Sequence, residues 1–491
     1  MTSAVELARN GLVLGIVYII GTLLYNVFLH PLRKYPGPLS HRMSVLPRLN
    51  HHVHGRLAFH VAELHKRYGP VVRISPNELA FSSPQAWRDI YGHKKAGEDE
   101  FPKYDGFYKI FGKATPLSLL NSSREDHGSL RRQMAHGFSD RAMREQEPLI
   151  GAYVDLLISR LKDAAGKNSS QDLQAWYNFT TFDIIGDLSF GVAGGFGCLE
   201  DSNYHPWVHL MTKTLRQSAL VQSLPALGLG QLLIWANQLQ LLAENEHMAI
   251  VHEKVAQRMQ SGERPDFLEG LLRKKEELHL SHDHLTANAS LLIIAGSETT
   301  ATLLSGATFL LMTNPDVLRK LEQEVRSAYR SDDEITLTSV SGLSFMLACL
   351  NESLRRYPPV VTGLPRAAPK GGAMVDAGFV PQGTVVSVFQ WAINHDEKYW
   401  NAPLKFAPER WMDDPSYKGD QLDAMQSFSV GPRNCIGRNL AYAEMRLILA
   451  KLVFNFDMSL ADDSREWLNN QKAFTIWDKP ALNIHLKPVV R

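Results

Sequence analysis

Phe428 to Gly437 reads FSVGPRNCIG: one cysteine, in a loop bracketed by glycines, directly ahead of a helix-forming run. A thiolate is a strong metal ligand, but a free cysteine is largely protonated near neutral pH. Three features of the stretch are expected to hold Cys435 as the anion. The helix that follows turns its positive N-terminal end toward it. Gly431 and Gly437 let backbone N–H groups come close to the sulfur. Arg433 adds a nearby positive charge. A lone cysteine is ordinarily a small buried hydrophobe, but the full spacing F-x-x-G-x-R-x-C-x-G sets this one apart as a metal ligand. Cys198 and Cys349 are far away in the chain, and no neighbouring Cys or His completes a zinc or iron–sulfur set. A single thiolate therefore points to a cofactor that brings its remaining ligands with it, a haem.

Upstream, Leu285 to Met312 reads LTANASLLIIAGSETTATLLSGATFLLM, long and nearly uncharged. Apolar on all sides, it predicts a buried central helix. Asn288, Ser297, Glu298, Thr299 and Thr300 make a membrane span costly there, and Thr313-Asn314-Pro315 ends the run. Within it lies Ala295-Gly296-Ser297-Glu298-Thr299-Thr300. A threonine here can bond back to the preceding turn and merely bend the helix. An acid beside an alcohol in an apolar helix also suits delivery of protons into a site sheltered from water. Further on, Glu352-x-x-Arg355 puts opposite charges on one helix face, a spacing that by itself describes any surface ion pair. Pro358-Pro359 follows, and then FAPERW, Phe406 to Trp411.

Taken in this order, the three patterns resemble the cytochrome P450 family along essentially the whole chain. The resemblance implies a mainly α fold with a small β region and haem b held between the Leu285–Met312 helix and the Cys435 loop. Phe428, Arg433, Cys435 and Gly437 fall on the fixed positions of the haem-binding signature, with Cys435 as axial ligand to the iron. Thr299 becomes the oxygen-side hydroxyl, Glu298 the relay acid, and Gly296 the opening in the helix groove where oxygen sits. Glu352, Arg355 and Arg410 become a buried triad that holds the cysteine loop. Arg433, Arg366 in GLPR, and His127 and Arg131 in DHGSLRR match the positions that face the haem propionates. The family often has Trp where His127 stands, so this position departs from the pattern. The chain has no G-x-G-x-x-G motif and no room for a flavin domain, which implies a separate reductase, NADPH-cytochrome P450 reductase, supplying electrons from NADPH. It is expected to dock near the Cys435 face, where Arg131, Arg132 and Arg438 add positive charge.

The remaining sequence sets the context. The chain has 491 residues, 44% of them hydrophobic, and a net charge of +1, which gives no basic excess for a nucleic-acid partner. Gly11 to Leu29 is 19 residues without a charge, roughly 28 Å as a helix. Arg33 and Lys34 follow it, whereas Arg9 before it is offset by Glu6, so the body is expected on the cytosolic side. This yields a membrane anchor over residues 1–30, a proline-rich hinge over 31–40 and a catalytic domain over 41–491; the resemblance implies the endoplasmic reticulum membrane. An amphipathic helix is expected from Leu57 to Tyr68, strands at VVRIS, ELAFS, GAMVDAGFV, GTVVSVFQWAI and Asn483 to Leu486, and helices over Val340–Arg356 and Leu440–Phe454.

The loops expected to line a substrate pocket are Phe101–Thr115, Met211–Val221, Val360–Leu364 and Ala473–Ile476. Tyr104, Phe107, Tyr108, Phe111, Leu364 and Phe474 make them apolar, which suits a small apolar or polycyclic substrate. NVFLHPLRKYPGPL, DHGSLRRQMAHGFSDRAM, WYNFTTFDIIGDLSFG and PRAAPKGGAMVDAGFVPQGTVVSV resemble fungal secondary-metabolism members similar to isotrichodermin hydroxylase-type enzymes. The activity this implies is insertion of one oxygen atom from O2 into a polyketide, terpenoid or alkaloid. Rival readings are an isomerase or dehydratase that works without O2 or reductase, a xenobiotic or fatty-acid hydroxylase, and a non-catalytic haem sensor.

Overall fold

The uncharged segment forms one helix of 31 residues, His282–Met312, roughly 46 Å long at about 1.5 Å per residue. The computed structural model describes residues 4–95, 97–112, 115–166, 170–191, 196–205, 219–239, 246–264, 266–376, 378–469 and 471–490; residues 211–218 of the expected pocket loop lie outside them. Eight helices and six strands carry the argument. The helices are α1 (Ala4–Phe28), α2 (Leu57–Tyr68), α3 (Arg124–Met134), α4 (Asp140–Ala165), α5 (Leu173–Phe190), α6 (His282–Met312), α7 (Ser344–Arg356) and α8 (Arg438–Asn455). The strands are β1 (Val71–Ser75), β2 (Glu78–Phe81), β3 (Arg366–Ala367), β4 (Val385–Val388), β5 (Lys472–Ala473) and β6 (Trp477–Asp478).

Helix α6 begins where a capping box satisfies its first donors. Ser281 Oγ accepts from the His284 N–H at 3.2 Å, and His284 Nδ1 accepts from the Ser281 N–H at 3.3 Å. It ends where Pro315 starts the next helix and Asn314 Nδ2 donates to the Leu310 carbonyl at 2.8 Å. Its apolar sides are covered by α5, α7 and α8. Tyr177 of α5 and Thr308 of α6 share a buried hydrogen bond of 2.6 Å between their hydroxyls. The main core runs through α4 to α8, and a second cluster lies under the sheet.

That sheet has the order β1-β2-β4-β3. β2 runs parallel to β4, with Glu78 opposite Val385 and Phe81 opposite Val388. GTVVSVFQWAI is therefore strand only to Val388, and Gln390–Asn394 turns into a short helix. The capture of Asn394 by α7 explains the switch: Arg355 Nη1 donates to the Asn394 carbonyl at 2.7 Å, and Asn394 Nδ2 donates back to the Arg355 carbonyl at 3.1 Å. The run Val340–Arg356 also divides, into a turn at Ser339–Gly342 and α7. The Glu324 carboxylate accepts from the N–H groups of Phe345 and Met346 at 2.7 and 2.8 Å, fixing the start of α7 after the break.

Helix α1 is exposed along its apolar length and, among the described residues, is the one helix long and apolar enough on its own to cross a membrane. Its last turn is part of the body. Asn26 is buried, its Nδ2 donates to the Met43 carbonyl at 2.8 Å, and its carbonyl accepts from fully buried Arg73 at 2.9 Å. Deleting residues 1–22 is expected to shift the protein from the sedimented membrane fraction toward the soluble one with its fold unchanged. Deleting 1–29 removes a buried acceptor from Arg73 as well and should lower unfolding stability by about 1–3 kcal/mol relative to the shorter deletion. Denaturant titration of the two truncations measures the difference. A folded 1–22 truncation that still sediments completely would assign membrane binding to the exposed Leu220, Leu229, Leu232 and Trp235.

Candidate active site

The loop ahead of α8 is pinned by its backbone. The Cys435 N–H donates to the Phe428 carbonyl at 2.9 Å. Gly431 has φ 75°, and a Cβ there would stand 2.1 Å from the Tyr91 carbonyl oxygen, so only glycine lets the loop pass under Tyr91 and Gly92. Gly431 thus serves this crossing and not the sulfur; the Gly437 N–H is the one that hydrogen-bonds Cys435. Phe428 packs at a tilt against Tyr442 of α8, with ring centres 5.3 Å apart.

Cys435 offers accessible surface, yet burial raises its thiol pKa above the usual value, which places that surface inside the body. The expected anion is therefore not stabilised by the protein alone. The Gly437 N–H, Arg131 and Arg438 all favour it, and burial outweighs them. Arg433 is not among these helpers. Its Nη2 pairs with Glu100 at 3.0 Å and its Nη1 donates to the Ser122 carbonyl at 3.1 Å. On α6, Ala295 is exposed although its helix is mostly core, so this stretch also faces internal space.

Beside the loop lies a cavity of about 320 Å³ lined by Arg124, His127, Arg131, Arg366, Arg433 and Glu100, among others. The structure thus brings together all four residues expected at the propionates. Arg131 donates to the Asn434 carbonyl at 2.7 Å and to Asn434 Oδ1 at 2.6 Å. This turns Arg131 inward, so of the three arginines expected on the docking face only Arg132 and Arg438 are exposed. Arg366 is buried; its Nη1 reaches the Phe101 carbonyl at 3.2 Å and its Nε has no hydrogen-bond partner. Burial first, then Arg433, Arg131, Lys103 and Arg366, push His127 down to about 4, so it offers a neutral N–H and no charge. Lys103 joins this cluster without having been signalled by any motif. Burial and the same arginines hold its pKa well below the usual value, and its Nζ lies 4.3 Å over the Tyr108 ring. Several buried cations facing one carboxylate, with an orphaned guanidinium N–H, call for an anionic ligand. A haem with two carboxylates and an iron for the enclosed thiol fits these residues.

Glu298 and Thr299 stand on α6 as expected, but each is held by its own partner. Thr299 Oγ1 donates to the Ala295 carbonyl at 2.6 Å. The Glu298 carboxylate is bonded by Lys479 Nζ and by Thr302 Oγ1, the latter at 3.3 Å. At Gly296 a Cβ would stand 2.6 Å from Ile185 Cδ1, so the glycine lets α5 pack closely on α6. Next to this pair, Thr300 bonds to Glu444 of α8, a carboxyl that burial pushes up to about 8. Glu444 links the cysteine helix to α6; a buried acid at helical spacing after the loop is the only sequence trace of it.

Glu352, Arg355 and Arg410 come together with no exposed side-chain surface. Arg355 makes a two-pronged pair with Glu352, Nε to Oε2 at 2.9 Å and Nη2 to Oε1 at 2.7 Å, and Arg410 Nε reaches Oε1 at 3.1 Å. The Ala407 N–H and Trp411 Nε1 also donate to this carboxylate, at 3.1 and 3.0 Å. The far side of Arg410 is bonded to Asp420, a partner that lies outside the motif. Ser427, just before the cysteine loop, donates to the Leu354 carbonyl of α7 at 3.2 Å and ties the two together.

Of the expected pocket loops, Val360–Leu364 and Ala473–Ile476 meet through a bridge between Val360 and Ile476. Tyr104 and Phe107 line a separate cavity of about 470 Å³ that opens against α1.

A family model described as Cytochrome P450 matches residues 36–484. The chain is 47% identical, over 98% of its length and 95% of the other protein, to cytochrome P450 monooxygenase tpeC of Talaromyces stipitatus. It is 43% identical to trichothecene C-15 hydroxylase of Fusarium sporotrichioides, over 96% of each chain. It is 40% identical to averantin hydroxylase of Dothistroma septosporum, over 96% of this chain and 90% of that one.

Proposed function

The chain belongs to the cytochrome P450 family, and on that premise we propose that it is a haem-thiolate monooxygenase that hydroxylates an apolar scaffold in fungal secondary metabolism. The haem and a redox partner belong to the family. NADPH, delivered through NADPH-cytochrome P450 reductase at the endoplasmic reticulum membrane with the body in the cytosol, belongs to this proposal. The observation that carries it is the enclosed Cys435 thiol beside a cavity of buried cations.

When bound, a haem would supply O2 activation and the insertion of one oxygen atom. The chain's own residues do the rest. Cys435 would hold the iron, and Arg366, Arg131 and Arg433 would hold the carboxylates, with His127 as a neutral donor. Thr299 and Glu298 deliver protons into the site, and Glu352, Arg355 and Arg410 keep the cysteine loop in place. Two relatives named as hydroxylases support hydroxylation as the simplest outcome. Expression with a fungal reductase, followed by spectral titration and product analysis of polyketide, terpenoid and alkaloid intermediates, tests the class. Turnover confined to fatty acids would overturn the tailoring role and leave the monooxygenase. Turnover of a peroxide without reductase would favour an isomerase, against which the Glu298–Thr299 pair stands.

Thr299→Ala should leave haem content and substrate affinity nearly unchanged yet divert reducing equivalents to hydrogen peroxide, because the directed hydroxyl is gone. Loss of general acid–base assistance sets the scale, with product per NADPH falling about tenfold or more. The ratio of product to NADPH consumed is the measurement; an unchanged ratio would remove Thr299 from the relay.

A further inference from the structure

Lys479 follows β6 directly, and its side chain is only 2% exposed. It reaches into the middle of α6, where its Nζ bonds the Glu298 carboxylate and donates to Thr302 Oγ1 at 2.8 Å. Thr302 donates to the same Glu298 oxygen, Oε1. The segment that carries the lysine is fixed on both sides. Trp477 Nε1 donates to the Pro358 carbonyl at 2.8 Å, and Trp467 Nε1 donates to the Pro480 carbonyl at 3.0 Å. A fixed backbone and two acceptors leave the ammonium one place to be. Meanwhile Thr299 is turned to its own helix, bonded to the Ala295 carbonyl. The acid and the alcohol, adjacent in sequence, are thus each engaged with a different partner, Glu298 with Lys479 and Thr302, and Thr299 with the Ala295 carbonyl.

We propose that Lys479 is a positioning residue that latches Glu298 away from Thr299 in the resting protein; the proposal rests on the reading of Glu298 and Thr299 as the proton-delivery pair. The latch sits on the hairpin β5–β6, whose Ile476 bridges to Val360 in the region expected to line the substrate pocket.

The test uses the full-length haem-loaded protein with reductase and compares K479M, K479R, E298Q and K479M/E298Q. Two quantities are read: the share of NADPH appearing as hydrogen peroxide, and the infrared C–O stretch of the reduced carbon-monoxide complex, which needs no turnover. K479M is expected to change the peroxide share by about threefold or more and to shift the stretch, with substrate Kd within about twofold, and K479R to restore both. K479M/E298Q is expected to match E298Q in both, since the latch has nothing left to hold. This comparison also decides the matter if K479M alone does not retain haem, because neither the double variant nor E298Q leaves a buried carboxylate unpaired, and in E298Q Lys479 keeps Thr302 and the amide oxygen at position 298 as acceptors. A threefold difference between K479M/E298Q and E298Q would show that Lys479 acts without Glu298 and overturn the proposal, as would a K479M protein identical to wild type. If T299A stays coupled, the relay reading itself fails; if T299A leaks peroxide and K479M does not, only the latch fails.

Discussion

Cys435→Ser is expected to give a protein whose reduced carbon-monoxide complex lacks the red-shifted Soret band of a thiolate haem. Its monooxygenase turnover is expected to fall by about a thousandfold or more, equal to about 4 kcal/mol of barrier. The substitution is close to isosteric, and apart from the Gly437 N–H the contacts that shape the loop do not pass through the sulfur. The Cys435 N–H still reaches the Phe428 carbonyl, Gly431 still passes under Tyr91, and Glu352 still gathers its donors. The cationic cavity with Arg366 and Arg433 is likewise untouched, so some haem should still bind. What is lost is the one group that can become an anionic ligand to iron. Burial holds the Cys435 thiol above its usual pKa, so the protein itself does not stabilise the thiolate, and metal ligation must supply that stabilisation. A serine hydroxyl, far weaker as an acid, gains too little from the same contact. A mutant that keeps the red-shifted band would remove Cys435 from the iron.

How far this could be read from sequence depended on whether a partner lay nearby in the chain. The cysteine loop was legible because Phe428, Gly431, Arg433, Cys435 and Gly437 lie within ten positions of one another. Helix α6 was legible because an uncharged stretch of that length has few other fates. The triad was half legible: Glu352 and Arg355 share a helix face, whereas Asp420 behind Arg410 had no spacing to announce it. The partners that lay out of reach share a cause. Gly296 faces Ile185 of α5, Arg433 pairs with Glu100, and Glu298 is bonded by Lys479, 181 residues away. Motif spacing says which residue types meet a chemistry, but the direction of a side chain is decided by what packs against it. The balance at the thiol was out of reach for the same reason: neighbouring donors and arginines can be read locally, while burial, which outweighs them, is a property of the whole fold.

Glu352→Ala is expected to leave little or no haem-containing protein at 37 °C. The carboxylate accepts from five donors: Arg355 Nε and Nη2, Arg410 Nε, the Ala407 N–H and Trp411 Nε1. Removing it strands two guanidinium groups whose side chains have no solvent exposure. Asp420 still neutralises Arg410 from the far side, but Arg355 keeps only the carbonyls of Asn394 and Lys405 as acceptors. Breaking a buried pair in this way costs about 3–5 kcal/mol, against a total stability of about 5–15 kcal/mol for a folded protein. The loss falls where α7 meets the segment leading to the cysteine, through Ser427 on the Leu354 carbonyl, so the haem loop should loosen with it. Glu352→Gln keeps the shape and part of the hydrogen bonding but not the charge, and should fall between the two. Haem content per protein and denaturant midpoints for the three proteins give the order wild type, Gln, Ala. An Ala variant with full haem content and a midpoint equal to wild type would mean that the triad does not hold the loop, and that the cysteine segment is secured by its backbone contacts to Tyr91 and Phe428 alone.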